Sequence, residues 1–137
     1  MAAIGAYLAR LILNVTLKNT ASNASAATLG LGLSLGTPTS VSMSEVGTSS
    51  GYTPQSVTFS SVGASGTIAS NANAMTFGPF SSAKTIFGAF VKDTLSASAS
   101  NGNKGNLYFF GTLSSSVVLA AGDTITWAAG ALTISLS

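Results

Sequence analysis

Only three carboxylates are present in this chain to carry acid–base chemistry: Glu45, Asp93 and Asp123. The 137 residues include no histidine and no cysteine, so a histidine base and a thiol nucleophile are excluded. Two of the carboxylates could hydrolyse a glycoside if folding brought them to the required separation. Each lies in a different turn region, however, where Asp93 and Asp123 are expected to accept backbone hydrogen bonds. The sequence therefore predicts no catalytic residue, no metal site and no cofactor.

Charge is scarce throughout the chain. Charged residues make up 6% of the sequence, against ~25% in ordinary domains, and Ser, Thr, Asn and Gly supply the polarity. Such a composition is common in permanent assemblies, because a buried charge needs a partner whereas a hydroxyl needs only a hydrogen bond. The cations are scattered, which argues against direct nucleic-acid binding; they are Arg10, Lys18, Lys84, Lys92 and Lys104.

The first 18 residues carry apolar side chains at the spacing of an amphipathic helix. We predict a helix over residues 4–18, within an N-terminal helix or arm of residues 1–20. It could be a lid on its own sheet, or an arm that docks on a neighbouring subunit or a membrane surface; Arg10 within the stripe argues against the membrane. The candidate interface consists of this stripe and of Tyr52. The stripe residues are Ile4, Tyr7, Leu8, Leu11, Ile12 and Val15.

No apolar run reaches the ~20 residues of a membrane span. The N-terminal run has no basic residues before it and is interrupted by Arg10 and Asn14, unlike a signal peptide. We therefore expect a protein made in the cytoplasm with no membrane partner.

The rest of the chain, residues 21–137, is interpreted as one β-sandwich domain. Leu29, Leu31, Leu33 and Leu35 alternate with small residues, which indicates a strand and not a dinucleotide loop, because no helix pattern follows the glycines. Residues 96–106 indicate a flexible loop, and residues 60–66 a turn. The predicted fold is all-β, an antiparallel β-sandwich or jelly-roll-like barrel of about eight short strands: 29–35, 57–59, 74–77, 85–91, 107–113, 117–119, 125–129 and 132–136.

Three aromatic residues could stack sugars or bases: Tyr52, Tyr108 and Trp127. Aromatic residues at strand periodicity are more often core or interface anchors. We therefore expect these three to pack against protein.

Several motifs follow one another along nearly the whole chain. They are Tyr7-Leu8-x-x-x-Ile12-Leu13-Asn14-x-x-Leu17 with Thr20, Glu45-Val46, Gly51-Tyr52-x-x-Gln55-x-Val57-x-Phe59, Gly105-Asn106-Leu107 with Gly111-x-Leu113, and Gly122-Asp123-x-Ile125-x-Trp127-x-Ala129-Gly130-Ala131-Leu132-x-Ile134-x-Leu136. Together these motifs resemble a family of small virion proteins of tailed bacteriophages, and the likeness is most specific at the C-terminal end. Pro54 departs from the family pattern, which usually has arginine there, and the loop of residues 96–103 is longer than usual.

The resemblance implies a virion structural protein. Members of this family are often labelled tail-fibre proteins, and similar small β-proteins serve as cement or decoration subunits on phage heads. Our leading hypothesis is a cement protein on the outer surface of the head, bound as a homotrimer to the major capsid protein. The alternative is a tail or tail-fibre component involved in host attachment.

Overall fold

A computed structural model describes residues 3–18, 28–62 and 66–135. For Val15, Thr16 and Lys18 it describes the backbone alone. Its elements are mostly short antiparallel strands, as predicted. They are β1 (Ala3–Ile4), α1 (Ala6–Lys18), β2 (Leu29–Ser34), β3 (Gln55–Val57), β4 (Ile68–Ser70), β5 (Met75–Phe77), β6 (Lys84–Lys92), β7 (Leu107–Leu119), β8 (Ile125–Trp127) and β9 (Thr133–Ser135).

The strands form three sheets around one main core. A five-stranded sheet has the order β1-β7-β6-β2-β3, and two smaller sheets pair β4 with β9 and β5 with β8. Every pairing is antiparallel, so the all-β prediction is confirmed and the architecture is consistent with a sandwich. The buried apolar residues of the core come from all three sheets and include Leu31, Leu33, Val57, Met75, Phe77, Ile86, Val91, Leu119 and Ile134.

The glycines of β2 allow other parts of the chain to lie directly on the strand. Leu31 and Leu33 enter the core. A Cβ atom built on Gly32 would stand 2.4 Å from the ring of Phe90, and one built on Gly30 would stand 2.4 Å from the carbonyl oxygen of Thr94. Close packing therefore explains the Gly-x-Gly spacing.

The aromatic residues pack against protein, as predicted. The Phe77 ring stacks on Tyr52 with centroids 5.8 Å apart, and its edge contact with Trp127 has the same separation. Tyr108 stacks on Tyr7 of α1 at 6.0 Å. Offset and edge contacts of this kind are the favoured arrangements of aromatic rings.

The helix begins two residues later than predicted, at Ala6. Ile4 belongs to β1, where it pairs with Phe109, and the Gly5 N–H donates to the Tyr108 carbonyl. This short strand ties the chain to β7 before the helix starts, and α1 then packs against β7. The predicted boundary between residues 20 and 21 lies outside the described residues.

Strand β7 corrects the sequence interpretation. Residues 107–113 and 117–119 were expected to be two strands, but they form one strand of 13 residues. Gly88 pairs with Thr112 and Ile86 with Val117, so the four residues 113–116 lie opposite Phe87 alone. The serines in this segment lie in a bulged stretch of the strand, which continues beyond it to Leu119.

Several shorter elements also differ from the prediction. Strand β4 was missed, since its sequence Ile-Ala-Ser has no clear alternation. The predicted strand at 57–59 is β3, which ends at Val57, while Phe59 makes an isolated bridge with Asn71. Part of the predicted turn at 60–66 and the end of the predicted strand at 132–136 lie outside the described residues.

The loop that was expected to be flexible is fastened to the segment of residues 43–50. The Thr48 and Ser49 N–H groups donate to carbonyls of residues 98 and 99, and the Gly102 N–H donates to the Glu45 carbonyl. The Asn103 side-chain oxygen accepts from the N–H groups of residues 43 and 44 at 3.0 and 2.9 Å. These bonds make the loop a strap across the 43–50 segment, and we call residues 96–106 the strap loop.

Candidate interaction surface

The three carboxylates serve separate structural roles. Asp93 accepts hydrogen bonds from the backbone N–H and the side-chain amide of Asn106, at 2.8 and 2.7 Å. Asp123 accepts from the Ala120 N–H at 2.8 Å and closes the turn before β8. The turn hydrogen bonds predicted for the two aspartates are confirmed. Among the described residues, no three His, Cys, Asp or Glu side chains cluster as metal ligands would.

Glu45 is not a surface turn residue but the centre of a buried polar cluster. Its side chain and that of Lys92 are both 0% exposed, and Lys92 Nζ lies 2.5 Å from Glu45 Oε2. The other carboxylate oxygen, Oε1, accepts the hydroxyl proton of Tyr52 at 2.9 Å. Lys92 also donates to the Ser96 carbonyl at 2.7 Å. We call Glu45, Tyr52 and Lys92 the buried polar cluster.

The cluster joins segments that are distant in the sequence. Glu45 bridges to Ser34 at the end of β2, and Lys92 is the last residue of β6. The Tyr52 hydroxyl accepts the Leu33 N–H at 3.1 Å. Through Ser96, the cluster also holds the start of the strap loop. A buried pair of this kind adds little net stability but strongly disfavours arrangements that separate its members.

Burial shifts the ionisation of all three groups. Desolvation raises the pKa of the Glu45 carboxyl, although the hydrogen bond and charge of Lys92 oppose the shift. Desolvation lowers the pKa of Lys92, against the opposing effect of Glu45. Burial and the negative charge of Glu45 raise the pKa of Tyr52, which keeps its hydroxyl proton as a donor. For each group, desolvation is the largest cause, as expected in a dry interior.

Tyr52, one of the candidate interface residues, lies in the core. Its side chain is 1% exposed and is held by Phe77, Glu45 and Leu33. A partner that binds the surface of this chain cannot touch it. The candidate interface residues that a partner could still reach are Ile4 of β1 and those of the helix.

The predicted helix stripe faces mainly the chain's own domain. Ile4, Tyr7, Leu8 and Leu11 are half-buried, and Tyr7 stacks on Tyr108 of β7. The side chain of Val15 lies outside the described part. This placement agrees with the lid interpretation of the helix, and contact of these residues with another subunit stays a prediction.

Three apolar residues of the helix, at the edge of the stripe and beyond it, remain exposed in the described part of the chain. Ile12 is 43% exposed, Leu13 55% and Leu17 76%. Leu13 and Leu17 are one helical turn apart and therefore lie side by side. We call these three residues the outward helix face. Sequence reasoning included Ile12 but missed Leu13 and Leu17, because they fall outside the main stripe.

No helix among the described residues is long and apolar enough to cross a membrane. The outward helix face lies on a helix of 13 residues and is apolar and exposed. Contiguous apolar surface on a helix is typical of sites that contact another protein.

Comparison with known families agrees with the resemblance found in the sequence. The family model described as "Podophage GP4 fiber I protein gp80" matches residues 3–135, nearly the whole chain. No curated protein matches the chain. The matched range includes the helix, the buried polar cluster and all three sheets. The chain therefore belongs to the podophage GP4 fiber I protein gp80 family and is a phage virion structural protein.

Proposed function

We propose that this protein is a structural subunit of a phage tail fibre and acts by binding other protein chains. The observation that carries the proposal is the match of a fibre-protein family along residues 3–135. The sequence alone favoured a cement protein on the head and kept the tail fibre as the alternative. The family description fits the alternative better.

The chemistry of the described residues supports a binding role over a catalytic one. Asp93 and Asp123 each hold a turn, and Glu45 is enclosed with its partners. None of the three carboxylates is free to face a substrate together with another. We therefore propose that the protein is not an enzyme.

We take the outward helix face as the main contact and a second copy of the chain as its partner. Leu13 and Leu17 are apolar, exposed and spaced one turn apart, so copies of the same helix can bury these residues against one another without any need for opposite charges. Fully burying one leucine is worth about 1.5–3 kcal/mol. If the homotrimer expected under the cement hypothesis also forms in the fibre, it would supply three such helices.

The location of the protein on purified phage particles tests the fibre proposal. Antibodies against the purified chain, carried on gold particles and viewed by electron microscopy, should bind the tail. Gel densitometry of the same particles should give far fewer copies than of the major capsid protein. Label spread over the head, with a copy number close to that of the capsid protein, would instead support the cement hypothesis and overturn the fibre proposal.

A further inference from the structure

Lys92 and Glu45 form a buried ion pair at short range. Charged N–H···O bonds are usually ~2.7–2.9 Å long, whereas Lys92 Nζ lies 2.5 Å from Glu45 Oε2. Since a carboxylate C–O bond is about 1.2–1.3 Å, Nζ cannot be farther than ~3.8 Å from the carboxyl carbon, close to the ~3–3.5 Å of reacting atoms in a near-attack arrangement. A potential nucleophile therefore lies against a potential acyl group.

We propose that Lys92 and Glu45 condense to form an intramolecular isopeptide bond. A bond forms between Lys92 Nζ and Glu45 Cδ, and the bond between Cδ and Oε2 breaks. Two of the three ammonium protons leave with Oε2 as water, and the third stays on the nitrogen as the amide N–H. The step needs no oxidant, reductant or further reactant.

The existing hydrogen bonds are the ones that the product amide requires. Oε2 lies next to Nζ and can receive two of the Lys92 ammonium protons directly. It is therefore the oxygen that leaves as water. Oε1 already accepts from the Tyr52 hydroxyl and becomes the amide carbonyl oxygen. The Ser96 carbonyl already accepts from Nζ and would accept the remaining amide N–H. Both polar groups of the product thus have a hydrogen-bond partner already close by, as a buried amide demands.

The surroundings favour the reactive forms of both groups. An amine attacks as the neutral form, and a carboxyl loses an oxygen most readily when it is protonated. Burial raises the pKa of Glu45 and lowers the pKa of Lys92, so both forms become more accessible. The condensation also replaces two buried charges by one neutral amide, which removes their desolvation cost.

Tyr52 is assigned as a positioning residue for this step. Its hydroxyl donates to Oε1 at 2.9 Å and is itself held by the Leu33 N–H at 3.1 Å. When nitrogen attacks the carboxyl carbon, negative charge develops on Oε1, where the hydroxyl is already aimed. A fixed donor at this point stabilises the tetrahedral intermediate.

The mass of the intact protein tests the proposal. The full chain is kept folded at neutral pH for a prolonged period, then denatured and weighed by mass spectrometry. The result expected is a mass lower than the sequence by one water. Trypsin should fail to cut after Lys92 and should release the peptide of residues 19–84 joined to that of residues 85–104. The full sequence mass after this treatment would overturn the proposal, whether or not any variant folds.

Matched variants assign the bond to its residues. Lys92→Arg should have its full sequence mass, while Lys84→Arg, at the other end of β6, should still lose one water. A water loss that persists in Lys92→Arg would overturn the proposal. Tyr52→Phe should form the bond on the order of 10²-fold more slowly, and an unchanged rate would overturn the role given to Tyr52. None of these outcomes depends on where the protein lies in the virion.

Discussion

In most proteins charged side chains are exposed and large apolar side chains are buried. The buried polar cluster and the outward helix face each reverse one half of this rule. The cluster holds a carboxylate and an ammonium group at 0% exposure, and the helix leaves Leu17 76% exposed to solvent. Every polar atom of the cluster has a partner within the described chain, whereas the leucines of the helix have none that covers them. The cluster thus joins parts of the fold itself, whereas the helix is the place where we propose that another chain binds.

The largest expected effect comes from breaking the cluster. Lys92→Met removes the cation and leaves the Glu45 carboxyl buried without it. We expect the free energy of unfolding, measured by urea denaturation relative to the unaltered chain at its full sequence mass, to fall by about 3–5 kcal/mol. Lys84→Met, a half-buried lysine of the same strand, should change it by less than about 1 kcal/mol.

A double variant separates two causes of the lost stability: the loss of the ion pair and the burial of an unpaired carboxylate. Adding Glu45→Gln to Lys92→Met removes the charge and keeps an acceptor for the Tyr52 hydroxyl, so part of the lost stability should return. A loss below about 1 kcal/mol in the single variant would show that the pair is not desolvated.

The next effect concerns the hydroxyl of Tyr52. Tyr52→Phe keeps the ring stacked on Phe77 but deprives the Leu33 N–H of its acceptor and Glu45 of a donor. We expect the free energy of unfolding to fall by about 1–3 kcal/mol. Tyr7→Phe, which alters a half-buried tyrosine of the helix, should cost less than about 0.5 kcal/mol. Equal effects of the two changes would contradict the central place given to Tyr52.

A smaller effect is expected at the strap loop. Asn103→Ala removes the oxygen that accepts the N–H groups of Met43 and Ser44. The first of these hydrogen bonds is partly buried and the second is exposed, so we expect a loss of about 1 kcal/mol in thermal or urea unfolding. The neighbouring exposed change Lys104→Ala should leave stability within about 0.5 kcal/mol. No difference between the two variants would mean that the strap loop is not fastened through Asn103.

Changes at the outward helix face should have the smallest effect on folding stability. Their effect on the self-association of the chain should be large. Leu13→Gln with Leu17→Gln keeps good helix formers and should change the free energy of unfolding of the isolated chain by less than about 0.5 kcal/mol. Its self-association constant, from analytical ultracentrifugation, should weaken at least ~10-fold.

The control for the helix variant changes two exposed valines that lie outside the helix. Val41 and Val118 are each 75% exposed, so Val41→Gln with Val118→Gln removes similar apolar surface elsewhere. Self-association should not change in this control. Equal weakening in both variants would show that general surface hydrophobicity, and not the helix, drives association.

Elements with a clear periodicity could be predicted from the sequence. The helix follows from its apolar stripe, β2 from the alternation of leucine with glycine, and β6 from its apolar run at the centre of the sheet. Strand β4 has three residues and no alternation, so local pattern could not show it. The bulge at residues 113–116 looked like a break, because serines favour turns and the partner that holds them in the strand is distant in the sequence.

The most consequential contacts were invisible to a single sequence. Glu45 and Lys92 are separated by 47 positions, and nothing in their neighbours marks either as buried. The only signal was that Glu45 belongs to a motif of the family pattern. At the helix, Leu13 and Leu17 stood outside the main stripe, and a helix with apolar residues on two sides could have indicated a second contact surface.

The accessibility of residue 17 in the phage particle tests the central claim most directly. The chain has no cysteine, so Leu17→Cys and Val118→Cys each introduce one thiol at positions that are 76% and 75% exposed in the isolated chain. Both should react with a maleimide at similar rates in the purified protein at low concentration. In assembled particles, we predict that the thiol at position 17 is protected while that at position 118 still reacts. Equal reactivity of the two thiols in the particle would contradict the claim that the outward helix face binds another chain.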